Sequence, residues 1–242
     1  MPFLLGLVSA AIALYLRMRA EETPLFAALA RQGDLAANPL ADMLGPQRRA
    51  ALLTVGLATF QAVGFYLPWV FLPNWMQGVR EVPAVVALTL TTINMAWNIA
   101  VLPVAGALCD ALGRRAMLIG ASTGTVLLSL PAFLLMTGAQ PHALWPYAVG
   151  QGLLMLLSTV YNASLLTTLV ELFPTRSRAT AMSVSYSLAA GVFGGTTPLV
   201  CTWLVRETHA PAAPAIYLML AALLALVLVA RGVAETSRRP LG

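Results

Sequence analysis

The chain has 242 residues, of which 59% are hydrophobic and only 10% charged, and its formal net charge is +5. Water-soluble domains are nearer half apolar and a quarter charged. This composition therefore excludes an ordinary soluble globular protein and indicates a bundle of membrane helices. All fourteen basic residues are Arg. They stand in short clusters between apolar runs, which is typical of membrane topology and not of a nucleic-acid-binding surface.

The chain opens with an apolar run, residues 2–16, followed by Arg17 and Arg19. A signal peptide carries its basic residues before the apolar run, so this order argues against one. At 1.5 Å per residue the run reaches only ~22 Å, short of a ~30 Å hydrocarbon core. We therefore expect a partial transmembrane helix over residues 1–17.

A more polar stretch, residues 18–49, follows and is predicted to be a cytoplasmic loop. Phe26, Leu29 and Ala30 fall on one helical face, which favours a short interfacial helix. Two prolines interrupt the rest of the stretch.

Six later runs are apolar enough to cross a bilayer. They predict a six-helix bundle over residues 50–230 and a cytoplasmic tail over residues 231–242. The runs are Ala50–Leu72, Val82–Leu108, Ala116–Thr137, Leu144–Val170, Ala179–Val205 and Ala215–Ala230.

The arginines orient these spans. With the spans counted this way, only Arg80 and Arg206 fall on one side, and the other twelve fall on the opposite side. The positive-inside rule makes the arginine-rich side cytoplasmic. We therefore expect the C-terminus in the cytoplasm.

The loop GALCDALGRR between the second and third of the six runs is the most specific signal. Glycine permits a tight turn, and the arginines face anionic headgroups. The loop resembles the G-x-x-x-D-R-x-G-R-R loop of the major facilitator superfamily, with Ala111 where the family usually has Arg. The resemblance assigns a role at the cytoplasmic gate to Gly106, Asp110, Gly113, Arg114 and Arg115.

Three further segments, EETPLF at residues 21–26, ELFPTRSRAT at 171–180 and FGGTTPLV at 193–200, occur in a characteristic order. They resemble the metabolite:proton symporter branch of that superfamily, whose members carry proline, betaine, α-ketoglutarate, citrate or shikimate. The resemblance implies that the chain corresponds to the C-terminal half of such a transporter, with residues 1–17 as its sixth span. It also implies location in the inner (plasma) membrane.

The ELFPTRSRAT segment also has a local logic. Pro174 is expected to end one span. Glu171 is close enough in sequence to Arg176 and Arg178 for an ion pair at the cytoplasmic rim. Such a pair is a candidate gate. Farther along, Gly191 and Gly195 form a G-x-x-x-G pattern, which lets helices approach closely, and Pro198 predicts a kink.

Polar residues inside spans are costly and face a cavity or a neighbouring helix. Candidate solute-binding positions are Gln61, Asn94, Trp97, Asn98, Gln151, Tyr161 and Asn162. For the Asn and Gln residues, lining of a water-filled cavity and hydrogen bonding between helices remain equal alternatives.

No carboxylate or histidine lies at mid-depth in any run. Proton coupling requires a group that titrates within the pathway, and the resemblance places such groups largely in the N-terminal half. No catalytic constellation and no nucleotide-binding or metal-binding spacing is evident. We therefore expect neither an enzyme nor a cofactor.

The sequence thus predicts an all-α membrane protein, the six-helix C-terminal half of a major facilitator fold with part of the preceding helix. The expected activity is proton-coupled symport of a small organic acid or zwitterionic osmolyte by alternating access. Its expected partners are the solute, protons, lipid, and a missing N-terminal half or a second copy of the chain. The alternatives are a half-transporter acting as a homodimer and a truncated, non-transporting remnant or interaction subunit.

Overall fold

The computed structural model describes residues 2–19, 43–174 and 178–233. Within these ranges it contains helices and no β-strand, which confirms the all-α prediction. The helices are α1 (Pro2–Arg19), α2 (Arg48–Tyr66), α3 (Leu72–Gly78), α4 (Ala84–Leu112), α5 (Arg114–Thr137), α6 (Leu144–Leu172), α7 (Arg178–Ala189), α8 (Gly195–Thr208) and α9 (Ala213–Gly232). π-Helical turns join α2 to α3 at Leu67–Phe71 and α7 to α8 at Ala190–Gly194.

Six helical segments are long and apolar enough to cross a membrane. They coincide with the six apolar runs, and most continue a few residues into the polar flanks. The segments are Arg48–Gly78, Ala84–Leu112, Arg114–Thr137, Leu144–Leu172, Arg178–Thr208 and Ala213–Gly232. Helix α1 is outside this set, and its described side chains are exposed. The predicted interfacial helix and most of the tail lie outside the described residues.

The bundle is built around α2 and α6, which pack against each other near its centre. There the rings of Phe60 and Tyr161 meet edge to face with centroids 4.4 Å apart. Helix α6 also packs on α4 and α5, while α9 packs on α2 and α5. On the far side of α2 lie α7 and the second π-helical turn.

Both π-helical turns lie beside prolines. Pro68 lies within the first turn, and Pro198 follows the second by four residues. Because proline lacks an N–H, it breaks the i→i−4 hydrogen-bond ladder, which favours such irregular turns. Pro103 and Pro131 nevertheless lie inside α4 and α5 without a π-helical turn. A proline alone therefore does not produce one. The kink at Pro198 stays a prediction; the structure places a π-helical turn before this proline.

The glycine contacts differ from the sequence expectation. A Cβ built on Gly191 or Gly195 would meet nothing within 4 Å. A Cβ on Gly194 would lie 2.8 Å from the Tyr66 ring and 3.3 Å from Ala62. The close approach of the two π-containing spans therefore depends on Gly194, which has no place in the G-x-x-x-G pattern.

Candidate transport site

A hydrogen-bonded network joins α4, α6 and the first π-helical turn within the membrane. Gln151 of α6 is fully buried. Its Nε2 donates to the Pro68 carbonyl at 3.1 Å and to Thr91 Oγ1 at 2.9 Å. Its Oε1 accepts from Asn94 Nδ2 at 3.1 Å. One amide side chain of α6 therefore bonds both to α4 and to the first π-helical turn.

The same network continues along α4. Asn94 Nδ2 also donates to the Ala148 carbonyl at 3.2 Å, and Asn98 Nδ2 donates to the Asn94 carbonyl at 2.9 Å. Thr159 Oγ1 donates to Asn98 Oδ1 at 2.7 Å. Gly152 makes room for the Asn94 side chain, because a Cβ there would lie 2.8 Å from Asn94 Oδ1. The polar faces of α4 and α6 thus bond to each other along several turns.

This geometry bears on the two alternatives for these amides. Asn94, Asn98 and Gln151 are buried between helices in this conformation, and neither of the two cavities described below includes them. Their hydrogen bonds satisfy polar groups that are costly to leave unpaired in a membrane. In this conformation they hold helices together.

Tyr161 and Gln61 are placed nearer the centre of the bundle. Tyr161 is buried, and its hydroxyl donates to the Leu57 carbonyl at 3.1 Å. Gln61 is half-buried, and its Oε1 accepts from the Tyr186 hydroxyl at 3.1 Å. The second bond joins the two spans that contain π-helical turns, α2–α3 and α7–α8.

The remaining two candidates are not part of these contacts. Asn162 Oδ1 is buried and has no hydrogen-bond partner among the described residues. Trp97 is 60% exposed, whereas its neighbours on α4, Asn94 and Asn98, are buried. The structure therefore does not bring Trp97 into the polar network.

A cavity of about 440 Å³ lies between the two π-containing spans at the predicted outer end. Apolar and aromatic groups form most of its wall, and an amide, a hydroxyl and a guanidinium supply its polar groups. The lining residues are Phe71, Asn74, Trp75, Gly78, Val79, Pro198, Thr202, Val205 and Arg206. Small-molecule sites usually combine an apolar wall with a few convergent polar groups in this way. The guanidinium of Arg206 suits a carboxylate.

The GALCDALGRR motif, which the sequence predicts to be a loop, is helical except at Gly113 and joins α4 directly to α5 at the predicted cytoplasmic face. Gly113 has φ 94° and ψ 149°, a conformation open essentially to glycine alone, and it separates α4 from α5. Arg114 then forms an ion pair with Glu171 near the end of α6. The Arg115 guanidinium donates to the Ala230 carbonyl at the end of α9 at 3.0 Å. The start of α5 is thereby bonded to the ends of two other helices.

This arrangement corrects one expected pairing. Glu171 pairs with Arg114, and Arg178 Nε instead donates to the Phe173 carbonyl at 3.0 Å. The α5–α6 packing brings Arg114 to Glu171, although the two are far apart in sequence. Pro174 follows the end of α6 as expected. Arg176 lies outside the described residues.

The other two motif residues are placed without such contacts. Gly106 lies inside α4, and a Cβ there would meet nothing within 4 Å. Asp110 is exposed near the end of the same helix.

Several groups that make the contacts described above were not identified from the sequence. The Pro68 carbonyl becomes a partner for Gln151 through the π-helical turn, which a sequence pattern does not specify. The sequence signals for three further residues were weak. Thr159 is a hydroxyl residue two turns beyond Gln151, and Tyr186 is an aromatic residue within a span. Arg206 is one of the two arginines on the predicted outer side.

Known proteins with similar sequences are transporters. The family described as "Sugar (and other) transporter" matches residues 31–242. The chain is 31% identical over 223 residues to a putative proline/betaine transporter of Staphylococcus aureus, covering 90% of this chain and 46% of that protein. It is 31% identical over 229 residues to a citrate-proton symporter of Klebsiella pneumoniae, covering 93% and 50%.

A third relative is the ectoine/proline transporter ProP of Corynebacterium glutamicum, 31% identical over 256 residues, with 99% of this chain and 49% of that protein covered. The chain thus spans about half the length of these relatives. Their names, the family match and the six membrane-capable helices agree with the resemblance found in the motifs. The chain belongs to the sugar (and other) transporter family of the major facilitator superfamily.

Proposed function

We propose that this chain supplies one six-helix half of a secondary active transporter for a small organic acid or zwitterionic osmolyte. The observation that carries the proposal is the outer cavity between the two π-containing spans, in a chain of a transporter family. The substrate class rests on the relatives, which are named for proline, betaine, ectoine and citrate. Arg206 would receive the carboxylate of such a solute.

The second half of the site would come from another polypeptide segment. In the most apolar windows of the Ala84–Leu112 and Arg178–Thr208 spans only 22% of residues are buried, against 56% in the Arg48–Gly78 span. We infer that these two spans face a missing N-terminal half or a second copy of the chain. Transporters of this class bind solute between two such halves.

Transport would follow alternating access, with proton symport as the coupling. The Arg114–Glu171 pair lies at the predicted cytoplasmic face, where its opening would accompany exposure of the site to the cytoplasm. The arginine distribution supports a cytoplasmic C-terminus, and the family supports location in the inner membrane. The proton-binding group would lie in the other half.

Uptake by proteoliposomes tests this proposal. The full chain is reconstituted alone and together with the N-terminal half of the ProP relative, and uptake of radiolabelled proline, betaine and citrate is measured with and without an inward proton gradient. We expect gradient-dependent uptake of at least one solute only with the added half. The Arg206→Gln variant should reduce it, and exposed Gln140→Leu should not.

Two other outcomes would favour the alternative functions. Gradient-dependent uptake by the chain alone would support the homodimer. If a full-length chimaera of the two halves is correctly folded and binds none of the solutes, the proposed function is wrong and the non-transporting alternatives stand.

A further inference from the structure

A groove of about 380 Å³ opens between the first turns of α2 and the last turns of α9, at the arginine-rich end of the bundle. Its lining falls into a layer of three arginines and, one turn deeper along each helix, a layer of aliphatic side chains. The lining residues are Arg48, Arg49, Leu52, Leu53, Val227, Leu228, Arg231 and Gly232.

Within the part of the chain that the structure describes, the outer layer carries positive charge without a carboxylate partner. Arg48, Arg49 and Arg231 are exposed. Among the described residues, no carboxylate pairs with any of them, since the ion pair found there joins Arg114 to Glu171. The first turn of α2 has no acidic residue, and its N-terminal dipole adds positive potential. A phosphate would bind here favourably, because one guanidinium group can donate two parallel hydrogen bonds to phosphate oxygens.

The inner layer is a preformed apolar wall. A Cβ on Gly56 would lie 2.2 Å from Leu228, and one on Gly232 would lie 2.6 Å from Leu53. These glycines thus let α2 and α9 meet closely beneath the groove. The wall remains accessible, since Leu52 is 69% exposed and Val227 is 40% exposed. Beyond it, Leu224 extends the exposed apolar surface one turn farther along α9.

We propose that this groove binds an anionic phospholipid of the cytoplasmic leaflet. Its phosphate would bind the three arginines, and the first methylenes of an acyl chain would lie along Leu52 and Val227. Basic sites between membrane helices on the cytoplasmic side suit such headgroups. The bound lipid would join the start of α2 to the end of α9. This site is distinct from the solute cavity and does not depend on the transported solute.

Lipid binding to the purified full chain tests the proposal. Native mass spectrometry in detergent, with phosphatidylglycerol or phosphatidylcholine added, measures the retained lipid. We expect preferential retention of phosphatidylglycerol. The Arg48→Gln/Arg231→Gln variant should weaken it about thirtyfold, since it removes two basic residues that contribute ~1 kcal/mol each. The control Arg17→Gln/Arg19→Gln removes the same charge from the exposed end of α1 and should change it little.

A second pair of measurements separates a lipid from a free anion. Leu52→Trp obstructs the apolar layer at an exposed position, so it should reduce phosphatidylglycerol retention without unfolding the bundle. Glycerol 3-phosphate should compete weakly, because it lacks the acyl chain. The proposal is overturned if both arginine pairs weaken retention equally, which would indicate general surface charge. It is equally overturned if Leu52→Trp has no effect and glycerol 3-phosphate competes as well as the lipid.

Discussion

At the residue scale, Gln151 connects more of the fold than its position in one apolar run suggests. Its amide bonds the Pro68 carbonyl, Thr91 and Asn94. Replacing it leaves the Pro68 carbonyl without this donor, whereas Thr91 keeps a bond to the Ala87 carbonyl and Asn94 keeps one to the Ala148 carbonyl. The loss of stability on replacing Gln151 should therefore be moderate.

We expect Gln151→Leu to lower the free energy of unfolding by about 1–2 kcal/mol, the range of hydrogen bonds between membrane helices. Denaturation in mixed SDS–detergent micelles, followed by intrinsic fluorescence, measures this. Gln140→Leu, in an exposed loop, is the matched control. Equal losses for both variants would mean that the network does not stabilise the bundle.

The Arg114–Glu171 pair makes the second prediction at this scale. The two side chains are 21% and 12% exposed, so water screens them less than it screens a surface pair. In a double-mutant cycle with Arg114→Gln and Glu171→Gln, we expect a coupling free energy of about 0.5–2 kcal/mol. Asp110→Asn, at an exposed site, should change stability by less than about 0.5 kcal/mol. Additive single variants would show that the pair is not coupled.

At the scale of elements, one glycine sets the α4–α5 turn. Gly113 has a positive φ that side chains disfavour, whereas Gly106 is helical with open space around it. We expect Gly113→Ala to cost about 1–3 kcal/mol of stability and Gly106→Ala to be neutral or slightly stabilising. Thermal unfolding of both variants checks this. A reversed order would exclude the turn as the reason for the motif.

The crossing of the two π-containing spans depends on a second glycine. A Cβ at Gly194 would overlap the ring of Tyr66, whereas one at Gly195 would meet nothing. We expect Gly194→Ala to destabilise the protein by about 1–3 kcal/mol through overpacking, with Gly195→Ala as its neighbour control. Chemical crosslinking between α2 and α7 should also fall only in the Gly194 variant. If Gly195→Ala is the more harmful, then the crossing is not formed as described.

At the scale of the whole molecule, orientation is the main expectation. Cys109 and Cys201 are buried, so the native protein should resist a membrane-impermeant maleimide. We expect Gln140→Cys to be labelled in intact cells and Leu44→Cys only after permeabilisation, since the two lie on opposite sides of the predicted bundle. Labelling of Leu44→Cys in intact cells would invert the topology.

The sequence by itself determined the membrane class, the six spans and their approximate limits. The hydrophobicity and the length of each apolar run decide these features. Both are properties of a single segment and do not depend on what it packs against. It also indicated the family, because Gly113 and the two arginines after it belong to one short contiguous motif. The Asn and Gln residues at helical spacing within the runs were likewise identified from the sequence as candidate site residues.

Only the tertiary structure decided what those residues contact. Glu171 pairs with Arg114 because α5 and α6 pack together, although Arg178 is far nearer in sequence. Gln151 meets the Pro68 carbonyl because a π-helical turn presents it. The groove between α2 and α9 combines residues from the first and last of the six spans, which are far apart in sequence. Such contacts depend on how helices pack, and periodicity within one helix carries no information about its neighbour.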